Sequence, residues 1–80
     1  MKRVSIKSTN LKSVGYDLNI SVLEVEFHDK RVYQYLRVPL TEYQNLMAAF
    51  SKGSYFAQRI KDNKKYGCRQ IYPMTRVLRQ

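Results

Sequence analysis

Lys52, Arg59, Lys61, Lys64, Lys65 and Arg69 fall in one short stretch of this chain, with Tyr55 and Tyr66 among them. Phosphates along a nucleic-acid backbone need positive charge near them rather than one fixed geometry, so irregularly spaced Lys and Arg suit them. Arg59 can offer a bidentate fork, and the lysines act as mobile point charges. An exposed tyrosine beside a phosphate contact can stack a base, worth about 1–3 kcal/mol per base. The competing arrangement is a solvated basic face with the tyrosines folded into the core.

Other residue groups could also do chemistry. Tyr33 and Tyr35 would share one face of a strand, as aromatics do in some single-strand binders; packing beneath a helix is the competing role. Ser8-Thr9-Asn10 and Ser51-Lys52-Gly53-Ser54 hold hydroxyls, backbone N–H groups and a lysine, the ingredients of a small anion site. The Gly-Lys-Ser/Thr order of a P-loop is missing, so a plain helix–helix turn is expected at 51–54. His28 has no Cys or His at metal-ligand spacing and is expected at the surface. Cys68 lacks the partner of a catalytic pair and is expected to be a structural thiol. Glu24 and Glu26 share a strand face and are expected on the wet side of a sheet, where they would repel a polyanion. No nucleophile, acid–base pair or metal set emerges, which speaks against an enzyme and calls for no cofactor and no metal.

The charge balance sharpens the first of these groups. Fifteen Lys and Arg against six Asp and Glu give a net +9, and the excess is uneven: residues 1–51 carry +2, residues 52–80 carry +7. A basic field concentrated in one third of a chain attracts polyanions and speeds their encounter. Eighty residues make one domain that buries about 60–65% of its unfolded surface. A hydrophobic content of 44% is that of a globular chain, not a disordered one. No apolar run approaches the ~20 residues of a membrane span. The opening Met-Lys-Arg-Val-Ser-Ile-Lys lacks the apolar centre of a signal peptide. The single cysteine fits a reducing compartment, and the cytoplasm is the expected location.

The elements that must position these residues follow from periodicity. Leu23, Val25 and Phe27 alternate with Glu24, Glu26 and His28, the pattern of a strand with one buried face. Val32 to Val38 is β-branched and aromatic, so the two halves predict a β-hairpin that Pro39 closes. A two-residue turn at Asp29-Lys30 would set Tyr33 and Tyr35 opposite Glu26 and Glu24. A three-residue loop, Asp29 to Arg31, would pair Phe27 with Tyr33 and Val25 with Tyr35, placing both tyrosines over the core. The longer loop is favoured, because the short turn wants Gly or Asn at positive φ and Lys30 suits that poorly. Val4–Ser8 reads as a short strand and Leu11–Asp17 as another, with Gly15 marking a bulge, a turn or a close backbone approach. Thr41 with Gln44 has capping-box spacing, and Tyr43, Leu46, Met47 and Phe50 form one apolar helical stripe. Lys52 and Gly53 would end that helix, Ser54 would cap a second carrying Phe56 and Ile60, and Arg69–Tyr72 would be a last edge strand.

The order of motifs carries a resemblance. Ser8-Thr9-Asn10, Val14-Gly15-Tyr16-Asp17, Leu23-x-Val25-x-Phe27, Val32-Tyr33-x-Tyr35-x-x-Val38-Pro39, Tyr43-x-x-Leu46 and Ala49-x-Ser51-x-Gly53-x-Tyr55-Phe56, with Ile60, resemble the KTSC domain over roughly residues 5 to 66. That family is named for a segment at the C-terminus of some lysyl-tRNA synthetases and includes small stand-alone bacterial and phage-type proteins. Two departures stand out: Asp29-Lys30-Arg31 where the family usually has glycine in the hairpin turn, and Ala57 where it often has asparagine. The resemblance implies an α+β domain and, through the synthetases, an association with nucleic acid; it carries over no catalytic residue.

The expected molecule is therefore a single α+β domain over residues 1–73, a small antiparallel β-meander of three to four strands with two helices packed on one face. Residues 74–80 would be a short basic tail. Its expected function is that of a small non-enzymatic module binding RNA or DNA. The alternatives are a small phosphorylated ligand such as a nucleotide, held by the same basic and aromatic residues, or an acidic surface on a host protein.

Overall fold

The computed structural model describes residues 1–73, so the tail expected at 74–80 lies outside the described residues. Five strands and two helices follow one another as β1 (Val4–Ser5), β2 (Leu11–Asp17), β3 (Val22–Phe27), β4 (Val32–Leu36), α1 (Leu40–Ala48), α2 (Lys52–Arg59) and β5 (Gly67–Tyr72). The strands form one antiparallel sheet in the order β1-β2-β3-β4-β5, each beside its chain neighbour. The fold is α+β as expected, with five strands rather than three to four. The added strand is β5, which pairs antiparallel with β4 and so extends the meander; it begins at Gly67, two residues before the expected edge strand.

The hairpin loop is three residues long but sits one residue earlier than expected, at His28-Asp29-Lys30. The Phe27 N–H donates to the Arg31 carbonyl at 2.8 Å, and the Lys30 N–H donates to the Phe27 carbonyl at 2.9 Å. Val25 therefore pairs with Tyr33 and Leu23 with Tyr35. Moving the register by a whole pair keeps the side-chain parity, so both tyrosines stay on the Leu23/Val25 face. Lys30 adopts φ 79°, the left-handed conformation it was expected to avoid. Asp29 holds the turn: its Oδ1 accepts the Arg31 N–H at 3.1 Å and its Oδ2 accepts Arg31 Nε at 2.8 Å. The Arg31 backbone N–H, with the guanidinium beside it, holds the Asp29 carboxyl below its ordinary pKa. Lys30→Gly is expected to stabilise the domain by about 0.5–1 kcal/mol, the left-handed strain of about 1–2 kcal/mol less the freedom glycine adds to the unfolded chain. A urea midpoint that does not rise would show the tip is unstrained.

The helices cover one face of the sheet. Leu11, Val14, Leu23, Val25 and Tyr35 meet Leu46 of α1, Phe56 of α2 and Ile60 in a single buried cluster. Tyr16 stacks on Tyr43 at 5.0 Å and donates its hydroxyl to the Val38 carbonyl, tying β2 to the entry of α1. Helix boundaries differ from expectation. α1 starts at Leu40, with Pro39 at the N-cap and no side-chain cap, and Thr41 lies inside its first turn. Ser51, not Ser54, caps α2, its hydroxyl accepting the Ser54 N–H at 3.3 Å. Lys52 opens α2 but still closes α1, its Nζ donating to the Ala49 carbonyl at 3.1 Å. Because α1 ends at Ala48 and Ala49 is extended, Phe50 falls off the apolar stripe and stands fully exposed.

The opposite face is not the wet surface expected. Residues 1–3 cross it above Gly15, where an added Cβ would come within 2.6 Å of the Lys2 carbonyl oxygen. Close backbone approach is thus the reason for that glycine. Arg3 donates to the carboxylate of Glu24 and, through Nε, to Ser13 Oγ at 3.0 Å, while Gln34 Nε2 donates to Glu24 Oε1 at 2.8 Å. Glu24 is only 5% exposed.

Candidate nucleic-acid interface

The basic segment is organised by a loop between α2 and β5. α2 closes at Ile60, whose N–H and that of Lys61 both donate to the Phe56 carbonyl, at 3.0 and 2.9 Å. Asn63 then folds the loop on itself: its Nδ2 donates to the Arg59 carbonyl at 3.1 Å, and its Oδ1 accepts the Lys65 N–H at 2.9 Å. Lys61, Lys64 and Lys65 are all exposed on this loop. None of the three makes a salt bridge with a described residue.

The other expected residues are spread over the molecule. Arg59 lies over the Tyr55 ring, its guanidinium carbon 5.3 Å from the centroid. Arg69 pairs with Gln34 in the sheet, and alternation puts it on the face away from the helices. There its Nε and Nη2 donate to Gln34 Oε1 at 2.9 and 2.7 Å, extending the Arg3–Glu24–Gln34 row. Lys52 sits at the α1–α2 junction. Tyr55 and Tyr66 turn toward Glu42 of α1 instead of solvent. Tyr66 donates its hydroxyl to Glu42 Oε1 at 3.1 Å, while the Tyr55 hydroxyl and Glu42 Oε2 are buried with no hydrogen-bond partner among the described residues. Burial, then the Glu42 carboxylate, pushes both hydroxyls above their ordinary pKa.

Among the described residues, Arg59 lines none of the main clefts. The one beside the basic loop, about 400 Å³, is formed by Phe27, Tyr33, Tyr35 and Cys68 on the helix face of the sheet, with Arg31 from the hairpin, Asn10, and Lys61 and Asp62 from the loop. Tyr35 is buried, and burial pushes its hydroxyl pKa strongly up, with the Cys68 thiol beside it adding to the shift. Tyr33 is half-buried and donates its hydroxyl to Gln70 Oε1 at 3.2 Å. Arg31 and Phe27 are the cleft residues that composition does not flag. The signal for Arg31 is its position directly after the turn, at the end of the strand bearing Tyr33.

A second cleft brings the Ser8-Thr9-Asn10 and Ser51-Lys52-Gly53-Ser54 segments together, with Lys7 and Phe50 at its edge. Gly53 permits this approach, since a Cβ there would come within 2.8 Å of Ser8 Oγ and 2.9 Å of Asn10 Oδ1. His28 ties the hairpin to the same turn through an Nε2 contact with the Ser8 carbonyl at 2.9 Å. Among the described residues no group of His, Cys, Asp or Glu could hold a metal, and no helix is long and apolar enough to cross a membrane.

Comparison with known proteins adds the lineage. The chain is 44% identical over 61 residues to an uncharacterized protein of Stutzerimonas stutzeri (strain A1501), spanning 76% of this chain and 86% of that one. It is 41% identical over 56 residues to a lysine–tRNA ligase of Trichormus variabilis (strain ATCC 29413 / PCC 7937), covering 70% of this chain but only 10% of the ligase. The crystal structure of a KTSC domain protein from Yersinia pestis superposes with a TM-score of 0.81 at 40% identity, covering 86% of this chain and 94% of the other. The family model for the KTSC domain matches residues 7–66, and the chain belongs to the KTSC domain family.

Proposed function

We propose that this domain is a non-enzymatic module that binds nucleic acid through the loop carrying Lys61, Lys64 and Lys65. The observation that carries this is the exposure of all three lysines, free of ion pairs with described residues, on a loop that borders an aromatic cleft. Phosphates tracking the loop would release counterions, and Arg31 would extend the positive path to the hairpin tip. Similarity to part of a protein named as a lysine–tRNA ligase supports an RNA context for the fold. Lys52 sits at the α1–α2 junction, Arg59 lies over Tyr55 at the end of α2, and Arg69 is on the other face of the sheet. They add to the field that attracts a polyanion rather than to one contact surface. Tyr66 serves by fixing the loop against α1 through Glu42, and Tyr55 by packing α2 against the core.

Fluorescence anisotropy across a salt titration tests this. Wild type is expected to bind RNA or DNA with a steep salt dependence. Changing Lys61, Lys64 and Lys65 together to Ala is expected to make the log–log slope shallower by about 2, at ~0.7 per phosphate contact on a single strand. Absence of binding at physiological salt would defeat the proposal and return attention to a phosphorylated small molecule or an acidic partner protein. An unchanged slope in the triple variant would remove the loop from the interface.

A further inference from the structure

We propose that the cleft between Phe27, Tyr33, Arg31 and Lys61 accepts one unstacked nucleotide, so that the domain selects single strands over duplexes. This rests on the nucleic-acid function just argued and names the part of the ligand that the cleft takes. Its volume of about 400 Å³ lies in the range of small-ligand sites and admits one base with its sugar. The wall is aromatic and pre-set: Phe27 meets Tyr33 edge to face at 5.8 Å, and Phe56 backs Phe27 at 5.7 Å. The bond from the Tyr33 hydroxyl to Gln70 holds that ring in place. A base entering here gains a π-surface without the protein having to reorganise.

The rim supplies the rest of a nucleotide's chemistry. The Arg31 guanidinium carbon lies 5.8 Å from the Phe27 centroid and 6.0 Å from that of Tyr33. Asp29 engages Arg31 through Nε, which orients the guanidinium and leaves its two terminal amino groups without a described partner. Those groups are a bidentate fork for a phosphate at the mouth of the cleft. Lys61 stands on the rim as a second cation, at the start of the loop that carries the exposed Lys64 and Lys65. Asn10 and Asp62 add polar groups to the lining. A paired duplex keeps its bases stacked and cannot fill the cleft without extruding one, whereas a single strand offers a splayed base at small cost.

The test compares an unstructured single-stranded oligonucleotide with a duplex of the same sequence, by anisotropy at fixed salt, for wild type, Tyr33→Leu and Tyr33→Phe. Leu keeps the apolar bulk without the aromatic face; Phe keeps the face without the hydroxyl. Circular dichroism melts confirm that each variant is folded. Wild type is expected to prefer the single strand. Tyr33→Leu is expected to lose about tenfold or more on the single strand, a stacking-sized loss, with duplex affinity unchanged. Tyr33→Phe keeps the aromatic face but loses the bond to Gln70, and is expected to fall between wild type and Tyr33→Leu on the single strand. Equal wild-type affinity for both forms, or a folded Tyr33→Leu that binds the single strand as well as wild type, overturns the inference and leaves the basic-loop function standing. No binding to either form overturns both.

Discussion

Phe56→Ala is expected to cost about 3–5 kcal/mol, most of the stability of so small a domain, taken near the low end of about 5–15 kcal/mol. Phe56 is 1% exposed and the largest fully buried side chain of the described residues. Its ring meets Tyr35 at 5.5 Å and 81°, and Phe27 at 5.7 Å and 65°, so one side chain joins α2 to two neighbouring strands. α2 has eight residues, of which only Gly53 and Phe56 are buried. A helix this short does not persist on its own propensity and depends on its packed face. Truncation therefore removes the anchor of α2 as well as leaving a cavity beneath it, and the Lys61–Lys65 loop that α2 positions goes with it. Urea unfolding of Phe56→Ala, with Phe56→Leu as a milder truncation expected to cost less, measures this. A loss below about 1 kcal/mol in the alanine variant would mean that α2 is held by other contacts.

What the sequence made legible was local. Alternation at Leu23, Val25 and Phe27 identified the central strand, and parity placed Tyr33 and Tyr35 on the core side even though the loop sits one residue earlier than expected. Parity survives such a shift, whereas the pairing partner depends on which residue tolerates positive φ, here Lys30 held by Asp29. Phe50 matched the helical stripe because periodicity does not record where a helix stops; the Ser51 cap of α2 does, and it forces the chain out of α1 first. The basic segment was visible as charge, yet its division was not. Arg69 faces away from the loop lysines because strand alternation, not sequence nearness, aims it. Tyr55 and Tyr66 resembled stacking residues until the structure turned both toward Glu42 of α1, which accepts the Tyr66 hydroxyl. In each case the missing information was a long-range contact, which neither composition nor spacing contains.

Glu24 is the sharpest instance. Its place in the alternating strand puts it opposite the helices, and only the arrival of Arg3 decides that it is covered. A carboxylate with its side chain 7% exposed pays a heavy desolvation penalty unless its oxygens are paired, and here Arg3 serves Oε2 while Gln34 serves Oε1. Glu24→Ala is expected to cost about 3 kcal/mol, the lower end of the ~3–5 kcal/mol for breaking a buried pair, because Arg3 is partly exposed and can turn to Glu26, 3.7 Å from its Nη2. Glu24→Gln should cost less, about 1–2 kcal/mol, since the amide still fills the site and accepts one hydrogen bond. A double-mutant cycle with Arg3→Ala should show a coupling of about 1–3 kcal/mol between the two positions. If Glu24→Ala instead stays within about 0.5 kcal/mol of wild type, the carboxylate behaves as an ordinary surface group. Residues 1–3 would then be a loose strand of chain rather than the cover that closes this face of the sheet.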